Sequence, residues 1–276
     1  MALFQLIILA LVQGITEFLP ISSSGHLILV PLLTGWDDQG LMLDVAVHVG
    51  TLTAVLLYFA RDTKGLFLAG LGAVGVMPAR RAVEGTPYSK LFWALVIGTI
   101  PLVITGGAMV ALDASDSLRG AEVIATTSIV FGLLLYIADK KGDVDKTLDR
   151  MAIKPALIIG FAQILALIPG TSRAGITMTA ARHLGFGRSD AARFSMLLSI
   201  PAIIASGAAT ALKAVEHATA QMWLDAGIGA LLAAVAAFGA IHFLMGWLKR
   251  ADMTIFVVYR VLLGLLLFGL IAAGAI

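Results

Sequence analysis

The chain has 276 residues, of which 59% are hydrophobic and only 13% charged, with a mean hydropathy of +0.98. A soluble domain carries roughly 25% charged residues, so this composition excludes a water-soluble globule or a nucleic-acid binder and indicates a polytopic membrane protein. The net charge of +2 decides little, because the placement of Lys and Arg matters more than their sum, and the absence of cysteine excludes disulfide and thiolate chemistry.

The first apolar region, Ala2–Leu33, holds no Lys or Arg, and neither does the rest of residues 1–60. It lacks the basic segment of a cleaved signal and is expected to stay in the mature chain. Its middle is broken by QGITEFLPISSSGH, Gln13 to His26. Pro20 stops the first arm, since the residue before a proline avoids helical geometry, and Ser22, Ser23 or Ser24 caps the returning helix.

Six later stretches reach the roughly 17 to 25 residues that a helix needs to cross the hydrocarbon: Leu43–Ala60, Leu91–Leu112, Ala121–Ala138, Phe194–Leu212, Trp223–Met245 and Met253–Ile276. Asp44 and His48 share a face of the first and read as a simple pair. The run Leu66–Met77 is short and Gly-rich, and is expected to be interfacial. DKKGDVDKTLDR, Asp139 to Arg150, reads as a solvated loop. A second interrupted region, Ala156–Ala181, carries IPGTSRAG, Ile168 to Gly175. Arg260, in the last span, reads as a snorkelling residue whose head reaches the interface.

If both interrupted regions enter and leave on one side, then 61–90, 139–155, 182–193 and 246–252 share a face with 15 of the 19 Lys and Arg residues. The opposite face, at 36–42, 113–120 and 213–222, carries only Arg119 and Lys213. The positive-inside rule makes the rich face cytoplasmic and puts both termini outside. Each half, about 1–138 and 156–276, is then one hairpin followed by three spans, and an odd number of spans inverts the second half. LPISSSGH (Leu19–His26) echoes IPGTSRAG, with Gln13 and Gln163 at similar distances upstream. The expected fold is a single all-α membrane domain over 1–276, with six full transmembrane helices and two re-entrant hairpins in an inverted repeat.

Polar blocks at membrane depth survive where they are buried or line a cavity, and ionisable residues there are functional candidates. Two helix N-termini and the guanidinium of Arg173 facing one pocket imply an anion, with phosphate the best fit. Gln13 and Glu17, four apart, share a helix face. Glu17 beside a phosphate serves as a metal ligand or proton-transfer group; the structural alternative is a bridge to Arg173. His26 is a chemical candidate because it shares an arm with the serines, against the alternative of a packing histidine. Walker A, dinucleotide and HExxH motifs are absent. One lipid-phosphatase superfamily joins an SGH block to SR-x5-H-x3-D, but here His183 lies ten residues after Arg173 and no Asp follows at that spacing.

QGITEFLPISSSGH and PGTSRAG together resemble the (E/Q)xxxE-serine-His and PGxSRSG blocks of the bacterial undecaprenyl-pyrophosphate phosphatases, also known as bacitracin-resistance proteins, along essentially the full length. The resemblance implies removal of one phosphate from a C55 isoprenyl pyrophosphate, a divalent cation such as Mg2+ or Ca2+, bacitracin as a competitor for the lipid, and a site in the bacterial cytoplasmic membrane open to the outside. By position, Glu17 matches the essential glutamate, Ser23 a nucleophilic serine, His26 the histidine and Arg173 the phosphate-binding arginine. Ser22, Ser24, Gly25, Thr171 and Ser172 match positions lining the same pocket. Two departures stand out. Gln13 replaces the first glutamate of some members, leaving Glu17 with a weaker partner as metal ligands, and Ala174 replaces the second serine of SRSG. Whether Ser23, His26 or a water attacks stays open in the sequence. The competing class is a lipid-phosphate carrier, since inverted repeats are typical of transporters, but a carrier needs no nucleophile. The Gly/Ala-rich spans permit a homodimer.

Overall fold

The computed structural model describes residues 2–112, 118–141, 146–215 and 218–276. Parts of the loops assigned above to the two faces, 113–117, 142–145 and 216–217, and the side chain of Lys213, lie outside the described residues.

The described α-helices are α1 (Leu3–Thr16), α2 (Ser23–Thr34), α3 (Leu41–Tyr58), α4 (Ala60–Ala73), α5 (Met77–Val83), α6 (Tyr88–Ala111), α7 (Ala121–Lys141), α8 (Ile153–Ile164), α9 (Arg173–His183), α10 (Arg188–Val215), α11 (Ala220–Trp247) and α12 (Thr254–Ala272). Six of them, α3, α6, α7, α10, α11 and α12, are long and apolar enough to cross a membrane. They overlie the six expected stretches. The main difference is α10, which begins six residues before Phe194. Ser189, Asp190 and Arg193 look like a polar loop in sequence, yet they form the helix's first turns. There Asp190 Oδ1 accepts the Leu148 N–H at 3.0 Å and Arg193 pairs with the buried Asp62 of α4.

The interrupted regions become pairs of short helices. At 14 and 12 residues, α1 and α2 span roughly 21 and 18 Å, less than the hydrocarbon thickness of about 30 Å. α8, with its 3-10 extension at Leu165–Leu167, pairs with α9 in the same way. α1 lies along α11 and α8 lies along α6, while α3 packs on α11 and α7 on α12. Glycines permit these approaches. A Cβ on Gly14 would come within 2.6 Å of Ala233 O; Gly50 would meet Ala230 O, and Gly160 would meet Gly98 O.

The largest buried cluster, including Phe18, Leu95, Ile159, Met178, Phe194 and Ile241, joins both helix pairs to the spans around them. Large apolar side chains such as Ile104, Leu231, Val235 and Leu262 are more than 60% exposed, as expected of a surface solvated by acyl chains.

One expectation is corrected. The stretch from Asp139 is not simply a solvated loop: Asp139 lies in the last turn of α7 and is buried, accepting from Arg182 Nε at 3.1 Å, Arg188 Nε at 2.7 Å and the Met253 N–H at 3.1 Å. A carboxylate can be buried at this junction because three N–H donors surround it. The run at Leu66–Met77, expected to be too short to span, falls mostly within the 14-residue α4, which is not among the six spans, starts directly beyond α3 and is anchored by the Asp62–Arg193 pair.

Candidate active site

Each short-helix pair turns through a serine in the left-handed region, where a side chain is normally disfavoured. Ser22 has φ 76° and Ser172 has φ 70°; they are the only non-glycine residues with positive φ among those described. Their side chains do the same work. Ser22 Oγ accepts the Gly25 N–H at 3.4 Å and Ser172 Oγ accepts the Gly175 N–H at 3.1 Å, capping α2 and α9. The residues that follow them, Ser23 and Arg173, open the two helices.

Glu17 joins the two turns. It closes α1, its N–H donating to Gln13 O at 3.0 Å, and its side chain is buried. Oε2 accepts from Ser23 Oγ at 2.7 Å and from Gln13 Nε2 at 2.9 Å, while Oε1 accepts from Arg173 Nη2 at 3.2 Å. Arg173 is held from behind, where Nη1 donates to Ser195 O at 3.0 Å. A carboxylate, a hydroxyl and a guanidinium drawn from two distant segments thus meet in one hydrogen-bonded cluster.

Of the residues singled out in sequence, the structure gathers Gln13, Glu17, Ser23 and Arg173. Ser22 and Ser172 are helix caps, and Gly25 supplies a capping N–H. Ser24 is exposed, with its Oγ 3.5 Å from Ser22 Oγ. Thr171 is buried beside the second turn, and its hydroxyl has no hydrogen-bond partner. His26 faces elsewhere. Its Nδ1 lies 2.7 Å from Ser22 O and its Nε2 lies 2.5 Å from the Tyr259 hydroxyl, with the two rings stacked.

The sequence reading missed three contributors. His48 does not pair with the Asp44 carboxylate: its Nδ1 meets Asp44 O at 2.7 Å and its Nε2 lies 3.9 Å from Glu17 Oε2, while Asp44 itself accepts from Gln39. Tyr259 carried no motif signal. Arg260 does not snorkel; it is fully buried and donates only to backbone carbonyls.

Divalent cations such as Mg2+ are commonly held by one or two carboxylates plus substrate phosphates. Among the described residues no three His, Cys, Asp or Glu side chains cluster as a ready-made metal site. Glu17 is the one carboxylate in the cluster, and beside it the buried Gln13 Oε1 lacks any hydrogen-bond partner. This donor set fits a cation bound chiefly through the phosphates of a ligand, with two protein oxygens completing it.

Comparison with known proteins covers nearly the whole chain. A family model described as bacitracin resistance protein BacA matches residues 6–266. A protein of Teredinibacter turnerae named undecaprenyl-diphosphatase is 50% identical over 270 residues, 97% of this chain and 99% of its own. One of the same name from Saccharophagus degradans is 48% identical over 271 residues, 98% of this chain and 99% of its own. A third, from Campylobacter curvus, is 48% identical over 267 residues, 97% and 98% of the two chains.

Proposed function

The chain belongs to the bacitracin resistance protein BacA family, and from that premise and the cluster around Glu17 we infer that it is an undecaprenyl-diphosphatase, cleaving undecaprenyl diphosphate to undecaprenyl phosphate and inorganic phosphate. The observation that carries the chemistry is Glu17 bonded to Ser23 on one side and Arg173 on the other. Arg173 and the N-termini of α2 and α9 hold the diphosphate. Glu17, already accepting the Ser23 proton's hydrogen bond, takes that proton as Ser23 Oγ bonds to the terminal phosphorus. The bond from phosphorus to the bridging oxygen breaks, and undecaprenyl phosphate leaves. Water then releases phosphate from the serine. His26, whose ring is held away from the cluster by Ser22 O and the Tyr259 hydroxyl, stays outside this step, and the proton taken up by Glu17 is the one available to the departing phosphate oxygen.

Glu17 and Gln13 would hold a Mg2+ or Ca2+ ion, which supplies neutralisation of charge on the phosphates. The remaining architecture follows the sequence reading: two re-entrant hairpins in an inverted repeat, in the bacterial cytoplasmic membrane, with the site and both termini outside. What supports the repeat is a constant offset of 150, relating Gln13 to Gln163, Ser22 to Ser172 and Gly25 to Gly175, and the pairing of α1 with α11 as α8 pairs with α6.

Purified protein in detergent, given farnesyl or undecaprenyl diphosphate, is expected to release phosphate, and Ser23→Ala to abolish release. A Ser23→Ala protein with most of its activity intact would eliminate serine attack. Movement of lipid between leaflets of a proteoliposome with no phosphate released would favour the carrier reading.

A further inference from the structure

Arg260 of α12 is completely buried, and among the described residues no carboxylate pairs with it. Its charge is met by five backbone carbonyls instead. Nε donates to Ser128 O at 3.2 Å and Nη1 to Pro20 O at 3.3 Å. Nη2 faces Thr127 O at 3.3 Å, Gly170 O at 3.0 Å and Thr171 O at 2.8 Å. Pro20 lies two residues before the left-handed Ser22, and Gly170 and Thr171 directly precede the left-handed Ser172. Thr127 and Ser128 belong to α7. One planar cation therefore fastens both turns to each other and to the α7–α12 pair. Glycines make room for it: a Cβ on Gly175 would lie 2.7 Å from Nη1, and one on Gly132 3.3 Å from the Arg260 Cβ.

We propose that Arg260 is a positioning residue of the site: it sets the turn that presents Ser23 against the turn that presents Arg173, so that nucleophile and phosphate clamp address the same phosphorus. The proposal rests on the phosphatase reading above. The geometry demands a guanidinium, because its N–H donors lie in one fixed plane, whereas a lysine offers three donors from a single point. Arg260 touches neither Ser23 nor Arg173 directly, so its loss falls on turnover more than on substrate capture; a misplacement of about 1 Å in reacting groups can cost about 100-fold.

The test uses the purified full-length protein in detergent, with farnesyl diphosphate as substrate, phosphate release as readout and thermal unfolding measured in parallel. Arg260→Lys and Arg260→Met are each expected to lower kcat by about 100-fold with KM little changed. Gly132→Val adds bulk from α7 against the stem of Arg260, whose Cβ, Nε and Cδ would lie 3.3–3.7 Å from a Cβ at Gly132. It is expected to lower kcat about tenfold on its own and to add nothing in the Arg260→Met background, the mark of two changes acting through one group. Wild-type kcat in Arg260→Lys would mean that charge alone suffices, and variants changed only in unfolding temperature would leave Arg260 a purely structural role; either result overturns the proposal. Should Arg260→Met fail to fold, the kcat values of Arg260→Lys and Gly132→Val decide the matter. Absence of phosphate release from the unaltered protein would instead overturn the phosphatase reading, a failure distinguishable from any defect confined to the variants.

Discussion

Glu17 accepts three hydrogen bonds from three different side chains, so a change there disturbs all three at once. Glu17→Gln turns one acceptor oxygen into an N–H group facing the Ser23 hydroxyl or the Arg173 guanidinium. Phosphate release should fall by about 10²- to 10⁴-fold, the range for loss of a general base. The unfolding free energy should drop by about 1–3 kcal/mol as buried donors lose their partner, which detergent unfolding curves will show. Arg173→Ala removes one preorganised cation and should cost about 2.7–4 kcal/mol of transition-state stabilisation; unchanged kcat/KM on farnesyl diphosphate would refute the clamp role. The i, i+4 spacing of Gln13 and Glu17 is legible in the sequence alone. The Ser23–Glu17 contact is not, because it depends on a positive φ at Ser22, and serine, unlike glycine, does not announce that conformation. Arg260 is visible in the sequence as an arginine but not as a buried one. Its place in the last span suits snorkelling, and only the folded arrangement reveals the carbonyls around it.

The helices are held by small residues at crossing points, without a hydrophobic driving force to bring them together in lipid. The closest seam runs through Gly50 of α3, where any side chain would strike Ala230 O of α11. Gly50→Val should lower the unfolding free energy by about 1–3 kcal/mol through overpacking. Gly107→Ala in α6, with open space around the added methyl, should be neutral or favourable by up to about 1 kcal/mol. Equal losses from both substitutions would contradict a seam located at α3–α11. Length and apolarity make all six spans readable, and the high Gly and Ala content implies close packing. Which glycine meets which backbone is hidden, because partners such as Gly50 and Ala230 lie far apart in sequence. The α10 start is hidden as well, since its polar first turns are satisfied by α4 and by the Leu148 N–H.

Charge and topology concern the whole chain. In the turn between α11 and α12, Asp252 accepts from Lys140 Nζ at 2.6 Å and from the Thr254 N–H at 3.0 Å, and these bonds, the lysine's above all, hold its carboxyl down to about 2. A lowered folded value contributes stability above the unfolded value of about 3.9 and loses it as pH falls toward about 2. Wild type should therefore unfold at a higher temperature than Asp252→Asn at neutral pH, and the gap should close between about pH 4 and pH 2. Excess EDTA should abolish turnover and Mg2+ or Ca2+ restore it; full activity with chelator would contradict the cation site. Because the chain contains no cysteine, single cysteines placed near each terminus can be probed in intact cells with an impermeant maleimide. Labelling at neither end would reverse the assigned orientation.

The bond between Glu17 and Arg173 spans 156 positions of sequence. During synthesis the serine and its carboxylate reach the bilayer long before their guanidinium exists. The cluster of carboxylate, hydroxyl and guanidinium is therefore complete only once the second half of the chain has docked on the first.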